Sequence, residues 1–409
     1  MKIVVQKFGG TSLSSTEMLG RAVQKVINAK RGGFQPVVVV SAIGRKGDPY
    51  ATDTLINMNM EISKDIHPRE MDLLMSCGEI ISAVIMTNTL KSRGYEARAF
   101  TGGQAGIITD QNYSQADILK IKPKKIIEAI ESGRIPVVAG FQGITEQGDI
   151  TTLGRGGSDI TAVALGEAIS AFSVEIYSDV DGIMTADPKI VPNASVLSQI
   201  SYADILELAS KGAKVIHPRA IEYAIRGNIP VFIKSAYKCT PGTIVSFGQE
   251  RTFGLDKTIS RRVVTGIAHI TGRAQITIHG NDPVINNHIL AQLAVNHISI
   301  DIINIFPDKM IFTIEEEKKQ NARGIIEENG CDYSILEDCS KISAVGSKMR
   351  GVPGVMSTIV AALTRNNIQI LQSADSHTTI SCLVRGEDTA RAVIALHEEF
   401  QLYKSEIGP

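Results

Sequence analysis

No stretch of this sequence is strongly basic: 42 Lys and Arg stand against 43 Asp and Glu, a formal net charge of -1 with no polybasic run. A nucleic-acid partner, which needs a clustered positive face, is therefore not expected. No apolar run approaches the roughly 20 residues that cross a bilayer. The N-terminus enters a strand at Lys2-Ile3-Val4-Val5 without a signal-peptide layout. Both absences point to a cytoplasmic protein with no membrane partner. The five cysteines (Cys77, Cys239, Cys331, Cys339, Cys382) are odd in number and form no CxxC pair, as expected of reduced thiols with no zinc site. Also missing are GxxxxGK[ST], GxGxxG and the HRD and DFG signatures, which excludes a P-loop enzyme and a protein kinase. No Ser-His-Asp or Cys-His order stands out; His67, His217 and His269 are scattered and read as structural.

What is present falls into two halves. A chain of 409 residues implies two or three domains, and 43% apolar with 21% charged residues is ordinary globular composition. Residues 1–245 alternate β-branched runs with amphipathic helical stretches. Val37-Val38-Val39-Val40 and Ile135-Pro136-Val137-Val138-Ala139 read as strands buried on both faces, the mark of a mostly parallel sheet covered by helices. Helical spacing over 15–31, 69–92 and 158–170, with Gly94 and Gly133 as helix stops, predicts a three-layer αβα domain. A polar linker at 246–262 follows. Then a βαββα(β) rhythm occurs twice with a period of about 75 residues, the ferredoxin-like unit. The first copy is expected over 263–338, with strands at 264–269, 298–305 and 310–315 and helices at 284–295 and 318–328. The second is expected over 339–400, with strands at 342–345, 368–374 and 379–384 and helices at 355–366 and 389–400. A C-terminal strand at 401–407 is expected to complete the first copy.

Two glycine turns carry the chemistry. Lys7-Phe8-Gly9-Gly10-Thr11-Ser12 leaves the first strand and opens the first helix. Its glycines admit close approach of backbone N–H groups to a phosphate, and a helix N-terminus favours an anion; the same hexapeptide also suits a plain strand-to-helix turn. Gly154-Arg155-Gly156-Gly157-Ser158-Asp159 precedes an apolar helix. Arg155 offers the planar fork that matches a carboxylate, Ser158 is placed to cap the helix, and Asp159 favours its positive end. Asp179 and Asp181 follow a strand at 174–177, the sheet end where open α/β folds bind ligands.

These motifs resemble the aspartokinases of the amino-acid kinase superfamily. The similarity rests on residues 7–12, Val40-Ser41-Ala42, 154–159, Ser178-Asp179-Val180-Asp181-Gly182, Thr185-Ala186-Asp187-Pro188 and Gly212-Ala213-Lys214-Val215. The repeated C-terminal unit is similar to the tandem ACT domains of that family. The resemblance implies ATP-dependent phosphorylation of the L-aspartate side-chain carboxylate, the first step toward lysine, threonine, methionine and diaminopimelate. It places Lys7, Phe8, Gly9, Gly10, Ser41, Ser178, Asp179, Met184, Thr185, Ala186, Asp187, Pro188, Lys189 and Lys214 around ATP. Thr52, Glu79, Arg155, Gly156, Gly157 and Ser158 go to aspartate, with Glu79 on the α-ammonium and Arg155 on a carboxylate. Asp159 orients Lys7, and Mg²⁺ arrives on the nucleotide with few protein ligands. Leu13 stands where Val is common, and Ser178 where Thr is usual. Effector binding is implied at Asn281 and Asp282 and at Val352, Pro353 and Gly354; the turn 281–284 lacks the Pro-Gly pair that 352–355 keeps. The tract 371–379 is most similar to the diaminopimelate-sensitive bacterial type, with lysine and threonine as other effectors. Edge pairing of the small units implies at least a homodimer. Two rivals remain open: a kinase for glutamate, N-acetylglutamate or UMP, and a non-catalytic amino-acid-binding regulator.

Overall fold

The computed structural model describes residues 1–213, 216–247, 262–280, 282–347, 349 and 351–404. Lys214, Asn281 and most of the expected linker lie outside the described residues. Two units form: Met1–Ile183 with Val196–Ala209 and Lys214–Ile259, and Met184–Ser195 with Ser210–Ala213 and Ser260–Pro409.

In the first unit, the β-branched runs build an eight-stranded sheet. Its order is Gln199–Ser201, Thr243–Ser246, Val231–Ser235, Ser173–Ser178, Ile3–Phe8, Gln35–Val40, Ile135–Ala139, Ala97–Phe100. Every neighbouring pair is parallel except Val231–Ser235 against Thr243–Ser246. Phe8, Val38 and Val40 point to one face, into a core shared with Val23 and Val26 of helix Thr16–Arg31 and Met86 and Leu90 of helix Pro68–Ser92. Val5 points to the other face, under Gly166 of helix Gly157–Ala168. The result is the expected three-layer αβα arrangement. Gly94 and Gly133 both take positive φ, and their N–H groups donate to Lys91 O and Ile130 O, closing the two helices as C′ glycines. The sequence did not announce a second sheet of four short strands, ordered Ile118–Ile121, Ile107–Thr109, Gln142–Ile144, Ile150–Thr152.

Helix Pro68–Ser92 is, by length and composition, apolar enough to cross a bilayer, unlike the sequence expectation that no such run exists. Half of its apolar window is buried within the protein, and its buried side includes Asp72 and Glu79. It is a core helix.

In the second unit, six antiparallel strands run in the order Ile303–Ile305, Lys309–Glu315, Gly266–His279, Tyr333–Val345, Thr379–Arg385, Gln372–Asp375. The two central strands are long and are used twice. Residues 273–279 pair with Lys309–Glu315, and 339–345 pair with Thr379–Arg385. The segment 266–270 pairs with 341–345, and so fills the fourth strand position of the second ferredoxin-like copy. A register shift around Ile270 and Arg273 separates the two uses. The expected division at 338/339 thus falls inside one strand. Residues 401–404 are turn rather than strand, and 405–407 lie outside the described residues.

Candidate active site

Strand Ile3–Phe8 delivers Lys7 at its carboxyl end, on the face covered by helix Gly157–Ala168. There Lys7 Nζ lies 2.7 Å from Asp159 Oδ1, in the first turn of that helix, with both side chains mostly buried. The ammonium is held in place by a carboxylate that also suits the helix N-terminus. Phe8 points the other way and stacks on Tyr177, ring centroids 4.9 Å apart.

The chain then bends through Gly9 and the short 3₁₀ turn Gly10–Leu13. A Cβ on Gly10 would strike Ala42 O and lie 2.7 Å from Gly44 O. Only glycine lets this turn sit against the loop after strand Gln35–Val40, where Ser41 N–H donates to Phe8 O (3.1 Å) and Gly44 N–H to Gly10 O (3.1 Å).

Glu79 comes to the same loop from helix Pro68–Ser92. Gly78 gives it access, since a Cβ there would meet Ala42 Cβ at 2.7 Å. Glu79 is 2% exposed. Its Oε1 accepts the Ala42 N–H at 3.0 Å, while Oε2 has no partner among the described residues. Burial pushes its pKa up to about 8, against a smaller downward pull from the Ala42 N–H. A buried carboxyl with one oxygen unsatisfied is a ready acceptor for a cationic ligand. Thr52 opens helix Thr52–Met60 nearby in sequence, half-buried.

The Arg155 turn is set by its glycines. Gly154 and Gly156 have φ of 74° and 72°. A Cβ on Gly156 would lie 2.5 Å from His217 Cβ, and one on Gly157 2.7 Å from Phe141 Cδ2. Arg155 itself is exposed. Ser158 does not cap the helix as expected: the N-cap is Gly156 with no side-chain cap, and Ser158 is buried one residue inside, against Gly140. The glycines let the helix begin a residue earlier. His67 and His217 serve instead as caps, each accepting a backbone N–H two residues on (Arg69 and Arg219) ahead of a first-turn proline. Burial and the Arg219 guanidinium lower the His217 pKa.

Ser178 ends strand Ser173–Ser178, and Asp179 just after it pairs with Arg45 at 2.9 Å. Met184, Thr185, Ala186, Asp187, Pro188 and Lys189 belong to the second unit. Thr185 is fully buried there. Its Oγ1 lies 2.9 Å from His397 Nε2 and accepts the Ser195 N–H, while its carbonyl accepts the Ile267 N–H. Ala186 and Val191 join the apolar core around Ile359 and Leu396. Among the effector turns, Asp282 caps helix Pro283–Val295, whereas left-handed Gly354, after Val352 and Pro353, opens helix Val355–Arg365. Two residues passed over in the sequence, Asp72 and Arg219, also reach this region. Asp72 had one signal, a carboxylate two helical turns before Glu79 in an apolar helix; Arg219 had none.

Comparison with known proteins identifies the family. Residues 2–235 match the amino acid kinase family and residues 334–398 the ACT domain. The chain is 45% identical to aspartokinase 1 of Bacillus subtilis over 99% of its own length and 100% of that protein. It is 38% identical to the aspartokinase of Mycolicibacterium smegmatis over 98% and 97%. Its fold matches E. coli aspartokinase III, solved with aspartate and ADP, with a TM-score of 0.76 at 24% identity over 97% and 99% of the two chains. Motifs, fold and relatives agree: the chain belongs to the aspartokinases, the branch of the amino-acid kinase family that ends in an ACT regulatory region.

Proposed function

We propose that the turns 7–10 and 154–159, with Glu79, form the phosphotransfer site of this feedback-regulated aspartate kinase. The acceptor carboxylate has an ordinary pKa of about 3.9 and is ionised at neutral pH, so no general base is required. The obstacle is repulsion between an anion and a polyphosphate. Lys7, fixed by Asp159, and the backbone N–H groups of Gly9 and Gly10 supply preorganised positive charge at the transferred phosphoryl group. Glu79 takes the substrate ammonium and Arg155 a carboxylate, with Thr52 and Ser158 beside them. Ser41, Ser178, Asp179 and Lys214 attend the nucleotide. The observation that carries this reading is the Lys7–Asp159 pair at 2.7 Å, joining the two glycine turns.

Among the described residues no three His, Cys, Asp or Glu side chains gather as a metal cage. A Mg²⁺ ion carried on the phosphates would neutralise their charge. Aspartate-dependent ATP turnover, absent with glutamate, N-acetylglutamate or UMP, tests the assignment; turnover independent of aspartate would reject it.

The ACT region is the sensor, and the tract 371–379 favours diaminopimelate over lysine and threonine as effector. Thermal stabilisation and inhibition by each amino acid discriminate among them. A homodimer is supported by the outer strand Ile303–Ile305, whose outer edge is unpaired among the described residues and carries exposed Ile303 and Ile305, with exposed Phe306 just after it. Light scattering that gives a monomer at micromolar concentration would refute it. A cytoplasmic location is supported by five cysteines that are all unpaired.

A further inference from the structure

Asp72 has no exposed surface and no cationic partner among the described contacts, yet every lone-pair direction is used. Its Oδ2 accepts the backbone N–H groups of Ser114 (2.9 Å) and Thr152 (2.7 Å). Its Oδ1 accepts their hydroxyls, at 3.1 and 2.9 Å. Arg219 holds the same two segments through their carbonyls, donating to Leu153 O (3.2 Å) and Ala116 O (2.9 Å), and to Asp117 Oδ1 (2.5 Å). The segments are also tied to each other, Ala116 N–H to Thr152 O at 2.9 Å.

What this clamp encloses is the Arg155 turn. Leu153 and Gly154 follow Thr152 directly. A Cβ on Gly154 would lie 3.0 Å from Ser114 O, so the turn rests on the residue that Asp72 pins. On its other side Gly156 abuts His217, two residues before Arg219. Asp72 and Glu79 are seven residues apart on helix Pro68–Ser92, both on its buried side, which is two turns along one face. The helix that presents the proposed ammonium acceptor therefore also anchors the loop that presents the proposed carboxylate donor.

We propose that Asp72 and Arg219 are positioning residues that set the distance between Glu79 and Arg155, and so tune the site to the length of aspartate. This rests on the reading that Arg155 binds a substrate carboxylate. The role of Asp72 is geometric. An asparagine can turn its carbonyl to the two backbone donors and its amide to the two hydroxyls, which rotate to accept. An alanine leaves four donors unpaired.

The test measures kcat and both KM values for Asp72→Ala, Asp72→Asn, Arg219→Ala and Arg155→Ala, each checked for cooperative thermal unfolding. Asp72→Ala and Arg219→Ala should raise the aspartate KM about tenfold, the scale of losing about 1.4 kcal/mol of orientation, with the ATP KM within about twofold. Asp72→Asn should restore the aspartate KM to within about threefold. Should Asp72→Ala fail to fold, Arg219→Ala, at a half-exposed site, carries the test. Equal rises in both KM values, or an unchanged aspartate KM in a folded variant, would overturn the clamp. An unchanged aspartate KM in Arg155→Ala would instead reject the acceptor assignment beneath it.

Discussion

On the proposal that Glu79 takes the substrate ammonium, aspartate binding is coupled to loss of a proton from its carboxyl. Its carboxyl is buried, accepts one hydrogen bond from Ala42, and titrates at about 8. An ammonium group binds the ionised form. At pH 7 only about one carboxyl in ten is ionised, and at pH 6 about one in a hundred. Binding must then expel a proton, at a cost of about 1.4 kcal/mol for each pH unit below the pKa. The aspartate KM should fall about tenfold per pH unit from 6 to 7.5 and level off above 8. Calorimetry in buffers of different ionisation enthalpy should find close to one proton released per aspartate at pH 6.5. The sign for stability is opposite. A carboxyl whose pKa rises from 4.5 to about 8 on folding favours the native state below 4.5 and loses that contribution as pH climbs to 8. The thermal stabilisation conferred by aspartate should therefore grow from pH 6 to 8. Glu79→Gln should show a high aspartate KM with no slope in this window. A flat wild-type profile between pH 6.5 and 8.5, or the same slope in Glu79→Gln, would refute the reasoning.

Lys7→Ala should lower kcat by about 10²-fold or more, the scale for one preorganised charge; a folded variant with near-normal kcat rules out its role. Gly10→Ala places a methyl group on Ala42 O, forcing the turn proposed to hold phosphate off its neighbour, and should lower kcat/KM for ATP at least about tenfold; steady-state kinetics decide. Thr185→Val removes the partner of the buried His397 Nε2 and of the Ser195 N–H and should cost about 2 kcal/mol or more in urea unfolding. A loss below about 0.5 kcal/mol would mean that water or another donor replaces the hydroxyl.

The glycine turns were legible because their cause is local. A charge and two glycines at a strand-to-helix junction admit few conformations, and Lys7 and Asp159 came together from opposite ends of that logic. The strands 37–40 and 135–139 declared themselves through apolar residues on both faces. The long strands Gly266–His279 and Tyr333–Val345 did not. Each is crossed by a polar stretch, Thr271-Gly272-Arg273 in one and Glu337-Asp338 in the other, where side-chain alternation lapses at the register shift. The expected strands, 264–269 and 342–345, accordingly cover only one side of each polar stretch. Asp72 was hidden for a different reason: its partners lie 42 and 80 residues away, and nothing near it in sequence signals them. Ser158 was read as a cap because the residue type suits the place; the backbone freedom of Gly156 settled the helix start first.

The pair of strands used twice gives the sensor an indivisible character. Cutting between its halves at any point would strip a structural rib from the other half, so neither can be deleted, exchanged or inherited alone. A push on one half bends a beam that the other half is built upon. Resistance to a feedback inhibitor can then arise far from where that inhibitor sits, anywhere along the two beams.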